Sequence, residues 1–223
     1  MKGRRAALAL LAALAISPAV RSGTAPEHGP VVYAAIPAHP ALWTVHGPKG
    51  TAYLFGSIHI LPPQVDWHTP EIDSAIAKSD AFVFEVVLDA GAMKDIRNYV
   101  RERGMLPPGQ NLRDMLSPAA RGNYDRRIAQ LSVAPETIGR MRPWLAGLTI
   151  GVLDITSRNY STQSGVDLEL QTGTRMDGKP VIGLETPEQQ LALLASEDPK
   201  AELQAFEAGL AGAGHPADDE IGP

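Results

Sequence analysis

The side chains best placed for chemistry in this chain are one imidazole and two carboxylates: His59, Glu85 and Glu185. His59 closes Tyr53-Leu54-Phe55-Gly56-Ser57-Ile58-His59, a β-rich run in which packing has no use for an imidazole. Gly56, just before it, lets a backbone or a ligand come close. Glu85 is the single charge in Ala81-Phe82-Val83-Phe84-Glu85-Val86-Val87-Leu88, an almost continuous apolar run of the kind a strand covered on both faces requires. Glu185 falls between a short apolar strand, Val181 to Leu184, and the N-cap of a helix, where open α/β sheets hold their ligand-contacting groups. An imidazole and two carboxylates suit a divalent ion such as Mn, Co or Zn and leave positions open for water. Activation of that water hydrolyses an amide or ester without a protein nucleophile. Each carboxylate also has a plainer role available: a buried salt bridge from Glu85 to Arg142 or Arg158, and a helix-dipole or capping contact for Glu185. His46, in a hairpin arm, and His68, after Trp67 in a loop, read as solvated.

The elements that must position these groups follow from local pattern. Ala41 to His46 and Thr51 to His59 read as the arms of a β-hairpin around the turn Gly47-Pro48-Lys49-Gly50. Thr69-Pro70-Glu71 supplies an N-cap, a first-position proline and an acid, which predicts a helix from Pro70 to Ser79. Helices are expected at Ala92 to Arg103, from Ser117-Pro118 through Leu131, and from Pro135 to Ile155, with Pro143 kinking or splitting the last. This helical insertion could form a lid over the sheet, although Ile138, Met141, Leu145, Leu148 and Ile150 read as plain core. Val166 to Thr174 is helix-like, Asp177-Gly178-Lys179-Pro180 is a turn, and Thr186-Pro187-Glu188-Gln189 opens a further helix with a capping-box pattern. The sum is an α/β fold, with a mixed or mostly parallel sheet opened by a β-hairpin.

Composition narrows the class further. With 223 residues, 44% hydrophobic and 20% charged, the chain suits one globular domain or slightly more. It has no cysteine, which excludes disulfides, thiol catalysis and a lipid-modified cysteine. A net charge of −5, with acids and bases interspersed, offers no basic face for nucleic acid. Lys2, Arg4 and Arg5 precede an apolar run from Ala6 to Ile16 and a small, polar stretch to Ala25, the pattern of a secretory signal peptide over residues 1–25. That run is shorter than the roughly 20 residues a membrane span needs, so a periplasmic or secreted protein with no stable span after cleavage is expected. Residues 26–40, with Pro, Gly, Ala, His28 and His39, read as a linker, and 199–223 as a disordered tail.

There is no HExxH helix, phosphate-binding glycine loop or GxSxG elbow. The ordered set Leu54-Phe55-Gly56-Ser57-Ile58-His59, the Glu85 strand, Arg142-Pro143-Trp144, Gly165-Val166-Asp167 and Gly183-Leu184-Glu185-Thr186-Pro187-Glu188-Gln189-Gln190-Leu191 resembles the TraB/GumN family, which includes the TIKI proteases. The resemblance covers 41–198. It implies an α/β domain whose GxxH motifs and glutamate form a metal-dependent hydrolase site acting on peptide bonds. Gly56 and His59 match the first GxxH and Glu85 the acidic residue, giving His59 and Glu85 as metal ligands and Glu85 and Glu185 as catalytic carboxylates. Family members carry a second GxxH further downstream. Gly212-Ala213-Gly214-His215 has the spelling but follows Ala- and Gly-rich sequence with no apolar strand before it, so the chain is expected to be shortened at its C-terminal end. Two functions follow: a metal-dependent hydrolase of peptide or small-molecule substrates, or a non-catalytic module binding a metal or haem.

Overall fold

The computed structural model describes residues 34–212. The segment 1–25 read as a signal peptide, His28 and His215 lie outside the described residues. In chain order the elements are β1 (Ile36–Pro37), β2 (Leu42–Gly47), β3 (Gly50–Phe55), β4 (Val65–Asp66), α1 (Pro70–Lys78), β5 (Phe82–Phe84), α2 (Ala90–Arg103), α3 (Leu112–Met115), α4 (Pro118–Gln130), α5 (Pro135–Gly139) and α6 (Pro143–Ser157). A 3-10 turn (Thr162–Ser164), α7 (Val166–Met176), β6 (Val181–Gly183), α8 (Pro187–Ala192) and α9 (Pro199–Gly212) complete them. The fold is α/β. The region expected as one domain divides into two compact units: 34–89 with 159–186, and 90–158 with 187–212.

The first unit holds every described strand, in three two-stranded sheets. β2 and β3 form an antiparallel hairpin, with Gly47 opposite Gly50 across the predicted turn. β5 and β6 run parallel, and β1 pairs in parallel with β4. The pairing of Ile36-Pro37 with Val65-Asp66 corrects the reading of this stretch as linker. Its buried core is Trp67, Ile72 and Val166, with Leu42, Phe55, Leu61, Ile76 and Leu170 packed around it. Thr69 caps α1 as expected, its Oγ1 accepting from the Ile72 N–H at 3.3 Å.

Two strands are shorter than their apolar runs. β3 ends at Phe55, four residues before His59. β5 ends at Phe84, because beyond it the buried side chain of Gln171 replaces a neighbouring strand. Its amide donates to Val86 O at 2.9 Å and its carbonyl accepts from Leu88 N at 2.8 Å. A side chain thereby satisfies backbone groups that a ladder would otherwise have to satisfy.

The second unit is helical. Pro143 divides the expected long helix into α5 and α6, taking the first position of α6, where a missing N–H costs nothing. Residues 199–212, read as part of a disordered tail, instead form α9 with Glu202, Phe206 and Leu210 buried. Their four-residue spacing makes one helix face. Glu202 accepts from Arg142 at 2.5 Å and from the Trp144 N–H at 3.3 Å, while Trp144 Nε1 donates to Arg103 O at 3.0 Å. Arg142-Pro143-Trp144 is thus a structural clamp. Among the described residues no helix is long and apolar enough to cross a membrane.

Candidate functional site

After Phe55 the chain leaves β3 and forms a short loop pinned on both sides of His59. Ile58 O accepts from Val166 N at 2.9 Å, and Leu61 exchanges two backbone hydrogen bonds with Ser161 at 3.2 and 2.8 Å. Gly165 lies against the loop so closely that a Cβ there would stand 2.1 Å from His59 O. Its φ is −68°, open to any residue, so glycine is required here for close approach and not for conformational freedom.

This contact brings the first turn of α7 to the imidazole. Asp167 Oδ2 stands 2.6 Å from His59 Nδ1, with the two side chains only 11% and 12% exposed. The pair meets out of hydrogen-bond alignment, and neither atom has another hydrogen-bond partner. Two buried polar atoms left in this way are costly unless chemistry uses them. A carboxylate beside Nδ1 favours the proton on that nitrogen and leaves the Nε2 lone pair for a metal or a proton in flight.

Helix α7 also fixes the other wall. Through Gln171 it ties down the residues after β5, and Glu85 stands half-buried at the end of that strand. A cavity of about 630 Å³ in this unit is lined by Asp167, Glu85 and Ser57 together with β3 and β5. In the β5–β6 register Phe84 faces Gly183, and Glu185 N donates to Glu85 O at 2.8 Å. Glu85 and Glu185 are therefore backbone neighbours, but Glu185, half-buried, is not among the cavity's lining residues.

Of the three residues singled out by sequence, Glu85 comes to the cavity beside Asp167, His59 reaches it through Asp167, and Glu185 joins through its backbone. Arg142 and Arg158, the cations considered for Glu85, pair instead with Glu202 at 2.5 Å and Asp154 at 3.2 Å. Among the described residues no group of three or more His, Asp or Glu side chains lies close enough to hold a metal. What the structure brings together is a smaller set: His59 against Asp167, with Asp167 and Glu85 both lining one cavity. Asp167 is the residue that sequence reasoning missed. Gly165-Val166-Asp167 was legible as a motif, and its glycine was the sign of close backbone approach.

His68 lies exposed in a loop, as expected, and is also clamped there. Its Nδ1 meets Asp73 at 2.6 Å and its Nε2 meets Glu169 at 3.2 Å, while its ring stacks on Trp67 at 3.9 Å. Burial pulls the imidazole pKa down, but the hydrogen bonds and charges of Asp73 and Glu169 outweigh that and raise it above 6.5.

Within this α/β unit a His–Asp pair whose facing atoms are buried therefore stands beside a cavity lined by Asp167 and Glu85. The family model of the TraB/PrgY/gumN family matches residues 41–221, and the chain belongs to that family. An uncharacterized protein of Treponema pallidum (strain Nichols) is 21% identical over 219 residues, 96% of this chain. The chain spans 64% of that relative's length. No solved structure matches.

Proposed function

We propose that the protein is an exported, metal-dependent hydrolase of the TraB type acting on peptide bonds, with its centre at His59, Asp167 and Glu85. The observation that carries this reading is the buried His59–Asp167 contact beside a cavity that Asp167 shares with Glu85. Asp167 orients the imidazole, His59 offers Nε2 as ligand or base, and Glu85 takes or gives a proton on the cavity wall. Glu185 supports Glu85 by holding the end of its strand. A bound Mn, Co or Zn ion supplies Lewis acidity and an activated water. His59 and Glu85 would hold that ion, with waters in its remaining positions. Export rests on the basic and apolar N-terminal segment.

Calorimetric titration of the metal-free full chain with each ion, beside a peptide-hydrolysis assay, tests this. Parent binding that is lost in His59→Ala and weakened about 10- to 100-fold in Asp167→Asn is the expected outcome. Hydrolysis surviving His59→Ala would end the proposal. A second reading, a non-catalytic ligand-binding module, is favoured by the lack of a three-residue ligand group among the described residues. Stoichiometric ligand uptake without turnover would select it.

A further inference from the structure

We propose that the cavity beside Glu85 is a strand-accepting slot, which takes up an extended segment of a separate polypeptide between the free edges of β3 and β5. Uptake of this kind goes beyond hydrolysis and is read without turnover. The cavity is lined by every residue of β3 from Thr51 to Phe55 and every residue from Ala81 to Glu85, but only by Leu42 of β2 and by none of β6. It therefore lies against the edge of each strand that faces away from its partner.

Both edges carry the groups that a strand needs. In an antiparallel pair, alternate residues exchange their backbone bonds. With Gly47 and Gly50 closing a two-residue turn, Val45–Ala52 and Trp43–Leu54 are the bonded pairs, so Thr51, Tyr53 and Phe55 turn their N–H and C=O to the free edge. On β5, Phe82 N donates to Pro180 O and Phe84 O accepts from Leu184 N, each at 2.9 Å, so Val83 between them presents its own pair outward. Among the described residues each sheet has two strands, fewer than independent stability requires, and Leu54 and Val83 are 56% and 57% exposed. Open edges with alternate apolar side chains are the template for β-addition.

Charge specifies the occupant further. The slot is lined by Asp80, Glu85 and Asp167 against the single amine of Lys78. Glu85 has no ion pair or side-chain hydrogen bond among the described residues. The partner is therefore an extended segment with apolar residues at alternate positions and a basic residue that reaches Glu85.

The test uses the full chain and a synthetic octapeptide alternating valine and threonine and ending in arginine, with a glutamate-ended version beside it. Residue-resolved amide exchange by NMR should show Tyr53, Phe55 and Val83 slowed about tenfold or more when the peptide is added, with Ala52 and Leu54 little changed. Glu85→Lys should shift preference from the arginine-ended to the glutamate-ended peptide by about tenfold. The proposal is overturned if neither peptide binds. It is also overturned if a peptide binds without protecting those three amides, or if they are already protected by self-association of the protein, which would make a second copy the occupant.

Discussion

Replacing Gly165 by alanine should separate His59 from Asp167 without touching either side chain. The new Cβ would sit 2.1 Å from His59 O and 2.6 Å from its carbonyl carbon, both backbone atoms. An ordinary C···O approach is about 3.3 Å, so helix and loop must part by roughly 1.2 Å. That movement sacrifices the Val166–Ile58 hydrogen bond, worth about 1 kcal/mol, and adds overpacking of about 1–3 kcal/mol. Stiffening of the unfolded chain returns up to about 1 kcal/mol. The net loss is about 2 kcal/mol, which for a chain of this size lowers Tm by about 4–8 °C. The control lies on the same helix. A Cβ at Gly173 meets nothing within 4 Å, so Gly173→Ala should gain about 0.5–1 kcal/mol from helix propensity. Urea unfolding of both variants reads the two signs directly. Gly165→Ala within about 0.5 kcal/mol of the parent would refute the claim that close approach places the pair.

Three further outcomes follow from the packing. Because the pKa of His68 is raised in the folded state, its stabilising effect is complete below pH 6.5 and is lost as pH rises through the raised value. Melting profiles from acid to alkaline pH should show that loss in the parent and a flatter curve in Asp73→Asn/Glu169→Gln. Gln171→Leu leaves Leu88 N–H and Val86 C=O buried without partners and should cost about 2–4 kcal/mol by denaturant titration. Arg142→Ala strands the Glu202 carboxylate, 4% exposed, and should cost about 3–5 kcal/mol, with Arg142→Ala/Glu202→Leu recovering much of it.

Local pattern decided a good deal of this molecule. Turn chemistry at Pro48-Lys49 made the hairpin readable, Thr69 and Ser117 marked helix starts through their side-chain oxygens, and prolines 70, 118, 135, 143 and 187 each opened a helix where a lost N–H is harmless. His59 and Glu85 stood out because neither belongs in an apolar strand. The parts that stayed hidden depend on partners remote in sequence. Helix α9 looked like a tail because its alanines and glycines mask the spacing of Glu202, Phe206 and Leu210, and because a buried glutamate makes sense only once Arg142 is beside it. The apolar run after Glu85 looked like more strand because nothing in it reveals that Gln171 will take over its backbone bonds. Asp167 appeared only as part of Gly165-Val166-Asp167, with nothing in that segment to name His59 as its partner. The sequence by itself therefore determined most of the elements and the helix starts that Thr, Ser and Pro mark, and it drew attention to His59 and Glu85. Only the tertiary structure decided that a glycine would press α7 against the His59 loop and give the imidazole its carboxylate, since such pairing depends on backbone approach between segments whose separation in the chain carries no periodic signal.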